Sequence, residues 1–318
     1  MPLQLPVLYC PYVASLHPGT DAADAESLAW AHRFGIASDP LVRGRIARTR
    51  TARLAGRICP QASEEGLLAI TQLQTWLFLF DDAFCDESEI GRSPARTAEL
   101  SVALMRVLEH GRPLTGPYAP FLRSFADLCD RLRRLAAPPQ FEHFSSRVVG
   151  YLLALVWEAA HREQHSPAGF AEYQDLRRHS SAVPPFIALI EAVNGFQLPA
   201  AVRESAGLRE LEFMVTDITC WANDILSYPK EYQRSTDVLS LPSVLAHELG
   251  VGAEAALKEA ALLHDDRVRE FGAAEMQLRE HAGDSLTRYL DDLRTWISGN
   301  LAWSYETGRY GLDPLEAA

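Results

Sequence analysis

The 318-residue sequence has no basic excess, no cysteine pair and no long apolar run, and each absence removes a class of function. A formal net charge of -12 leaves no basic face for a polyanion, so nucleic acid is not an expected partner. A small anionic substrate survives this test, because it needs only a local cluster of cations. The cysteines Cys10, Cys59, Cys85, Cys129 and Cys220 are odd in number, widely spaced and without a C-x-x-C pair, which reads as reduced, mostly buried thiols. Residues 1–13 contain three prolines and no basic segment leading into an apolar run, unlike a signal peptide. The longest apolar stretch, residues 67–80, is interrupted by Thr71, Gln72, Gln74 and Thr75 and is too short to span a bilayer. A cytoplasmic protein with no membrane association is expected.

Runs of Val, Ile and Thr are also scarce, whereas Ala, Leu, Arg and Glu recur, so the expected fold is all-α. With no repeat, linker or shift in composition, residues 1–318 read as a single domain, with an N-terminal strap at 1–22 and a tail at 311–318. Helical periodicity predicts helices over 21–34, 66–80, 96–110, 120–135, 142–165, 167–178, 204–228, 246–263 and 285–305. Residues 42–54 form a basic amphipathic segment with Arg43, Arg45, Arg48, Arg50 and Arg53, read as a solvated face. Residues 66–80 and 148–157 are apolar almost all round and are expected to be central helices. Pro184 and Pro185 remove two backbone donors, so a break is expected at 180–185 before the helix resumes over 186–194.

Two polar constellations stand out against this apolar pattern. The first follows the central helix as F-D-D-A-F-C-D-E, with Asp81, Asp82 and Asp86. Adjacent carboxylates at the end of an apolar helix are costly unless a cation neutralises them. Asp82 and Asp86 share a helical face, but Asp81 and Asp86 diverge by roughly 140° on an ideal helix. Either the helix loosens here, or Asp81 alone ligates and the others orient partners. An acidic helix end opening into a loop is the bland alternative. The second constellation is N-D-I-L-S-Y-P-K-E, residues 223–231. Asn223, Ser227 and Glu231 are four apart and stack on one face as an amide, a hydroxyl and a carboxylate. That donor set suits a hard divalent cation such as Mg²⁺, which commonly binds a phosphate as well. Asp224 and Lys230 add charge beside it.

These two motifs, with the C-terminal W-S-Y-E-T-G-R-Y of residues 303–310 and the Pro-rich N-terminus leading to a Trp-containing first helix, resemble a bacterial class I terpene cyclase over nearly the whole chain. The resemblance implies an α-helical bundle of the class I terpenoid synthase type around a central cavity, and ionisation and cyclisation of an allylic prenyl diphosphate. It implies three Mg²⁺ ions, with Asp81 bridging two, Asp82 and Asp86 beside it, and Asn223, Ser227 and Glu231 chelating the third. It places a diphosphate-sensing arginine 46 residues before Asn223, at Arg177, with Ser180 as a linker and the backbone carbonyl of Ser181 turned to the substrate. Ser181 departs from the usual Gly, and Ser180 from the frequent Asp or Thr. Lys230, Arg309 and Tyr310 complete the implied diphosphate donors.

A carbocation formed in such a site must be kept from water, which suits an apolar cavity with aromatic walls. Phe78, Phe80, Phe84, Phe186, Trp221 and Trp303 are candidates, with ordinary core packing as the competing reading for each, while Thr216 and Thr219 share the helical side of Asn223. Farnesyl diphosphate is the expected substrate, with the geranyl and geranylgeranyl homologues as alternatives, and the chain is expected as a monomer or homodimer. A chain-elongating prenyltransferase would carry two D-D-x-x-D motifs, and a non-catalytic helical binding protein would leave both constellations incidental.

Overall fold

The computed structural model describes residues 3–85, 88–111, 115–116, 118–164, 169–232 and 239–310, and every regular element among them is helical. In chain order the helices are α1 (Thr20–Phe34), α2 (Pro40–Thr49), α3 (Thr51–Ile58), α4 (Glu64–Phe80), α5 (Pro94–His110), α6 (Ala119–Leu135), α7 (Pro138–Gln164) and α8 (Phe170–Ser180). Three short helices follow, α9 (Val183–Ile187), α10 (Ile190–Val193) and α11 (Ala200–Arg203). The long helices α12 (Ala206–Tyr232), α14 (Ala253–Arg279) and α15 (Asp284–Glu306) close the bundle, with α13 (Leu241–Leu249) between the first two. One contiguous apolar core runs through them. The tail expected at 311–318 lies outside the described residues.

Helix α4 is the centre of the first half, as its composition implies. Its start is fixed by Ser63, whose side chain accepts from Gly66 N at 3.0 Å. From there it is buried on nearly every side, between α1 and α3 on one flank and α6 on the other. Thr75 is paired where it enters the core: its Oγ1 lies 2.8 Å from both Ser27 Oγ and Thr51 Oγ1. Trp76 stacks on Phe80 at 4.8 Å and donates its indole N–H to Ser124 at 3.0 Å, which ties α4 to α6.

Several boundaries differ from those the periodicity predicts. The segment expected as continuous over 42–54 is split, because Arg50 adopts left-handed backbone with φ 55° and separates α2 from α3. The helix expected over 246–263 is also split: Gly250, with φ 64°, ends α13, and α14 then continues to Arg279. The buried side of α14's second half is His264, Val268, Phe271 and Glu275, a helical spacing in which two of four residues are polar. Apolar periodicity therefore fades there although the helix does not. His264 Nδ1 lies 3.0 Å from Asp265 Oδ1, and Glu275 takes Arg279 at 2.6 Å and Arg294 at 2.5 Å.

The expected break at 180–185 is present, with Ala182 at φ 61° and α9 beginning at Val183, but the helix resumes only as α9 and α10. Residues 148–157 are not wrapped on all sides. Leu153 is 70% exposed and Val149 and Trp157 are each 37% exposed, so this apolar run has one face turned outward. The N-terminal strap lies along α14 and α15: Tyr9 N donates to Asp265 at 2.8 Å, and Tyr12 packs edge-on against Phe271 beneath the Arg294 guanidinium.

Candidate active site

At the end of α4 the backbone widens into a single π turn over Asp81–Cys85. Its hydrogen bonds reach five residues instead of four, which re-aims the side chains; π turns of this kind recur at functional sites. Of the two geometries open at this motif, the described residues have the loosened helix, while Asp86 lies outside them. Asp81 and Asp82 meet the same cation. Arg309 Nη2 donates to Asp81 Oδ2 and Nη1 to Asp82 Oδ1, each at 3.2 Å, and Arg45 stands 3.6 Å from the other Asp82 oxygen. The repulsion between the two carboxylates is thereby offset.

The second motif lies near the C-terminal end of α12. Asn223 receives a hydrogen bond on its carbonyl oxygen from Arg177 Nη2 at 3.0 Å, and its amide donates to the Tyr310 hydroxyl at 2.5 Å. Ser227 Oγ, one turn on, is buried and has no hydrogen-bond partner among the described residues. Such a group is costly unless something fills it. Pro229 sits inside this last turn and removes the donor that would reach the Ile225 carbonyl. Lys230 Nζ donates to the Arg309 carbonyl at 2.5 Å.

Asp224 faces the other way. Its carboxylate accepts from Arg177 Nε at 3.1 Å and Nη2 at 2.8 Å, from Leu241 N at 2.9 Å, and from the Tyr173 hydroxyl. It thus fastens α8 and the start of α13 to α12. Burial works against the Arg177 charge, but Asp224 outweighs it and holds the guanidinium well above its ordinary value. The sequence marks Asp224 only as a charge beside the ladder. Its role depends on Tyr173, 51 residues away, and Leu241, 17 residues away, and no local spacing signals either.

Arg309 and Tyr310 join the two motifs. Arg309 reaches Asp81 and Asp82 while Tyr310 reaches Asn223, so one two-residue segment after α15 spans the mouth. Burial raises the Tyr310 phenol, against the pull of Arg309 and its hydrogen-bond partners, which keeps it a proton donor. The Arg309 guanidinium lies 4.8 Å over the Phe78 ring, Phe78 packs on Trp303 at 5.8 Å, and Trp303 meets Tyr310 at 6.0 Å. Phe78 and Trp303 therefore adjoin the charged mouth.

The other expected pocket residues are dispersed. Phe84 packs with Phe80, Tyr118 and Phe121, and Trp221 lies between Phe170 and Arg267. Phe186 packs on Trp296, and Thr216 bonds back to the Glu212 carbonyl at 2.8 Å. Thr219 Oγ1, one turn before Asn223, is buried without a partner among the described residues. Ser181 ends α8, and its hydroxyl accepts from Val183 N at 3.2 Å across the break.

A narrow apolar cavity lies between α4, α5, α6, α7 and α9, with Leu73, Leu77, Val148, Tyr151 and Pro185 on its walls. Leu77 and Leu73 are four and eight residues before Asp81, a helical phase that could have been read. The cavity lining is apolar, and Tyr151 lies on its wall. Burial, followed by the neighbouring Cys85 and Asp81, pushes its phenol well above the ordinary value, so it stays neutral.

The donors present fit a divalent metal. Asn223 and the unpartnered Ser227 offer neutral oxygens, and Asp81, Asp82 and Glu231 offer carboxylates. No three His, Cys, Asp or Glu side chains cluster as a cage among the described residues, so any metal here would rest on this mixed set together with an anion.

A family model described as terpene synthase family 2, C-terminal metal binding, matches residues 72–270. A germacradien-6-ol synthase of Streptomyces pratensis is 30% identical over 310 residues, covering 96% of this chain and 86% of the relative. A T-muurolol synthase of Roseiflexus castenholzii, named as cyclising farnesyl diphosphate, is 32% identical over 306 residues, covering 95% of this chain and 93% of the relative. The solved structure of wild-type cucumene synthase superposes with a TM-score of 0.81 at 28% identity, covering 94% of this chain and 99% of that one. With its helices, its two motifs and the Arg309–Tyr310 span all in the expected order, the chain belongs to the terpene synthase family.

Proposed function

We propose that this chain ionises and cyclises an allylic prenyl diphosphate, farnesyl diphosphate ahead of its geranyl and geranylgeranyl homologues, to a terpene hydrocarbon or alcohol with release of diphosphate. The observation that carries the reading is the Arg309–Tyr310 segment, which touches the acidic turn and the α12 ladder at once. The name of the Roseiflexus castenholzii relative, which specifies farnesyl diphosphate, supports the choice of substrate.

Asp81 and Asp82, together with Asp86, would hold Mg²⁺ on one side, and Asn223, Ser227 and Glu231 on the other, three ions in all. Bound there, Mg²⁺ would neutralise the diphosphate and make it a better leaving group. Arg177, Lys230, Arg309 and Tyr310 supply the hydrogen-bond donors that receive the departing diphosphate, and Asp224 holds Arg177 in place for that task. The backbone carbonyl of Ser181, at the α8 break, orients the substrate. Leu73, Leu77, Val148 and Tyr151 exclude water from the chain that has lost its leaving group, and aromatic faces including Phe78, Tyr151 and Trp303 stabilise positive charge, each by about 1–2 kcal/mol when desolvated. The chain works as a single domain, as a monomer or homodimer, in the cytoplasm. No helix among the described residues is long and apolar enough to cross a membrane.

The test is to incubate purified protein and Mg²⁺ with geranyl, farnesyl and geranylgeranyl diphosphates and analyse the extracts by mass spectrometry. Farnesyl diphosphate is expected to give a cyclic product and free diphosphate, and excess chelator to stop both. Turnover only with isopentenyl diphosphate as co-substrate would replace the reading with chain elongation. No diphosphate release from any of the three would leave a helical binding protein.

A further inference from the structure

Helix α2 ends at Thr49 because Arg50 takes left-handed backbone, φ 55° and ψ 51°, a conformation that non-glycine residues seldom adopt. The last carbonyls of a helix lack partners within it. Here the chain's own C-terminal arm fills them. Gly308 N donates to Arg48 O at 3.0 Å, and Trp303 Nε1 and Thr307 Oγ1 each donate to Thr49 O at 2.9 Å. Trp303 Nε1 also lies 3.2 Å from Arg50 O, and Glu306 is gripped by Arg53 and Arg57 of α3.

Thr307 uses its hydroxyl twice. It donates to Thr49 O and accepts from Arg309 N at 3.2 Å, and it is only 1% exposed. With Lys230 on the Arg309 carbonyl, the Arg309 backbone is held at both its N–H and its C=O. The guanidinium and the Tyr310 phenol that span the mouth therefore leave from a fixed point. Strain kept at a non-glycine position is a pointer to function when the surroundings hold it in place. At Arg50 what the strain produces is the row of carbonyls on which the arm is seated.

We propose that Thr307 is a positioning residue of the site, acting through Arg309 and Tyr310, and that the α2–α3 break is the seat that sets their reach. The inference rests on reading those two side chains as diphosphate donors. Thr307→Val keeps the volume and removes both hydrogen bonds, whereas Thr307→Ser keeps the hydroxyl. The measurements are kcat and KM for farnesyl diphosphate with Mg²⁺, and the rise in melting temperature that Mg²⁺ with inorganic diphosphate produces over each protein's own unliganded value.

Thr307→Val is expected to lower kcat/KM by about tenfold or more and to shrink the ligand-dependent rise, with Thr307→Ser restoring both to within about threefold of the parent. If the valine variant folds poorly, Thr307→Ala is measured the same way against its own unliganded melting point. Equal impairment of Val and Ser, or a lowered melting point with an undiminished ligand-dependent rise, would make Thr307 merely structural and overturn the proposal. An unmodified protein that shows neither turnover nor a ligand-dependent rise would instead bring down the functional reading, and this inference with it.

Discussion

At the scale of single residues, the two motifs divide into side chains that face the mouth and side chains that hold those in place. Ser227 is the clearest of the first kind. Its hydroxyl is buried and unpartnered among the described residues, so removing it breaks no bond seen within the protein. Ser227→Ala is therefore expected to melt within a few degrees of the parent or slightly higher, yet to need about tenfold more Mg²⁺ for half-maximal turnover. A large fall in melting temperature with an unchanged Mg²⁺ requirement would show that the hydroxyl serves the fold instead. Asp224 is of the second kind, spending its carboxylate on Arg177, Tyr173 and Leu241. The identity and spacing of Asn223, Ser227 and Glu231 were legible because a helix places residues four apart on one face. The work of Asp224 and Thr307 was not, since each is defined by a partner that only folding brings near.

Among the elements, close backbone approach sets the positions from which the site is assembled. Helix α15 carries the arm with Arg309 and Tyr310, and it lies tightly on α3 at Gly299. A Cβ there would stand 2.4 Å from the Arg57 carbonyl, a backbone atom that cannot swing aside. Gly299→Ala is expected to destabilise the protein by about 2 kcal/mol or more, read as a lower midpoint in urea. An unchanged midpoint would mean that α3 and α15 separate without cost. Helix existence was readable for the long amphipathic segments, but helix ends were less so. A short break such as Gly250 preserves enough apolar phase to look continuous, and the polar inward residues His264 and Glu275 hide a helix whose buried polar groups are partnered by Asp265, Arg279 and Arg294.

For the molecule as a whole, stability must depend on pH through groups that folding takes out of water. Asp292 is one. Burial raises its pKa from 3.8 to about 7, only partly countered by the hydrogen bond from Asn194 Nδ2 at 2.8 Å and by Arg288. A carboxyl with a raised folded pKa binds its proton more tightly in the folded state. Its contribution is thus fully present below about pH 4 and is lost as pH rises through about 7. Asp292→Asn, which can still accept from Asn194, is expected to gain on the parent as pH rises from 5 to 8, by on the order of 3 kcal/mol at most, in denaturation curves at the two pH values. A difference between the two proteins that does not change with pH would remove this account.

What the sequence determined by itself was the helical class and the identity and spacing of the two polar motifs and the Arg309–Tyr310 pair, because periodicity and residue chemistry are local properties. Only the tertiary structure decided that Arg309 meets both Asp81 and Asp82, that Tyr310 meets Asn223, and that Leu77 and Tyr151 share the wall of an apolar cavity between helices. The physical reason is that a helix fixes the direction of a side chain relative to its own axis, whereas the group it faces is chosen by how the helices pack.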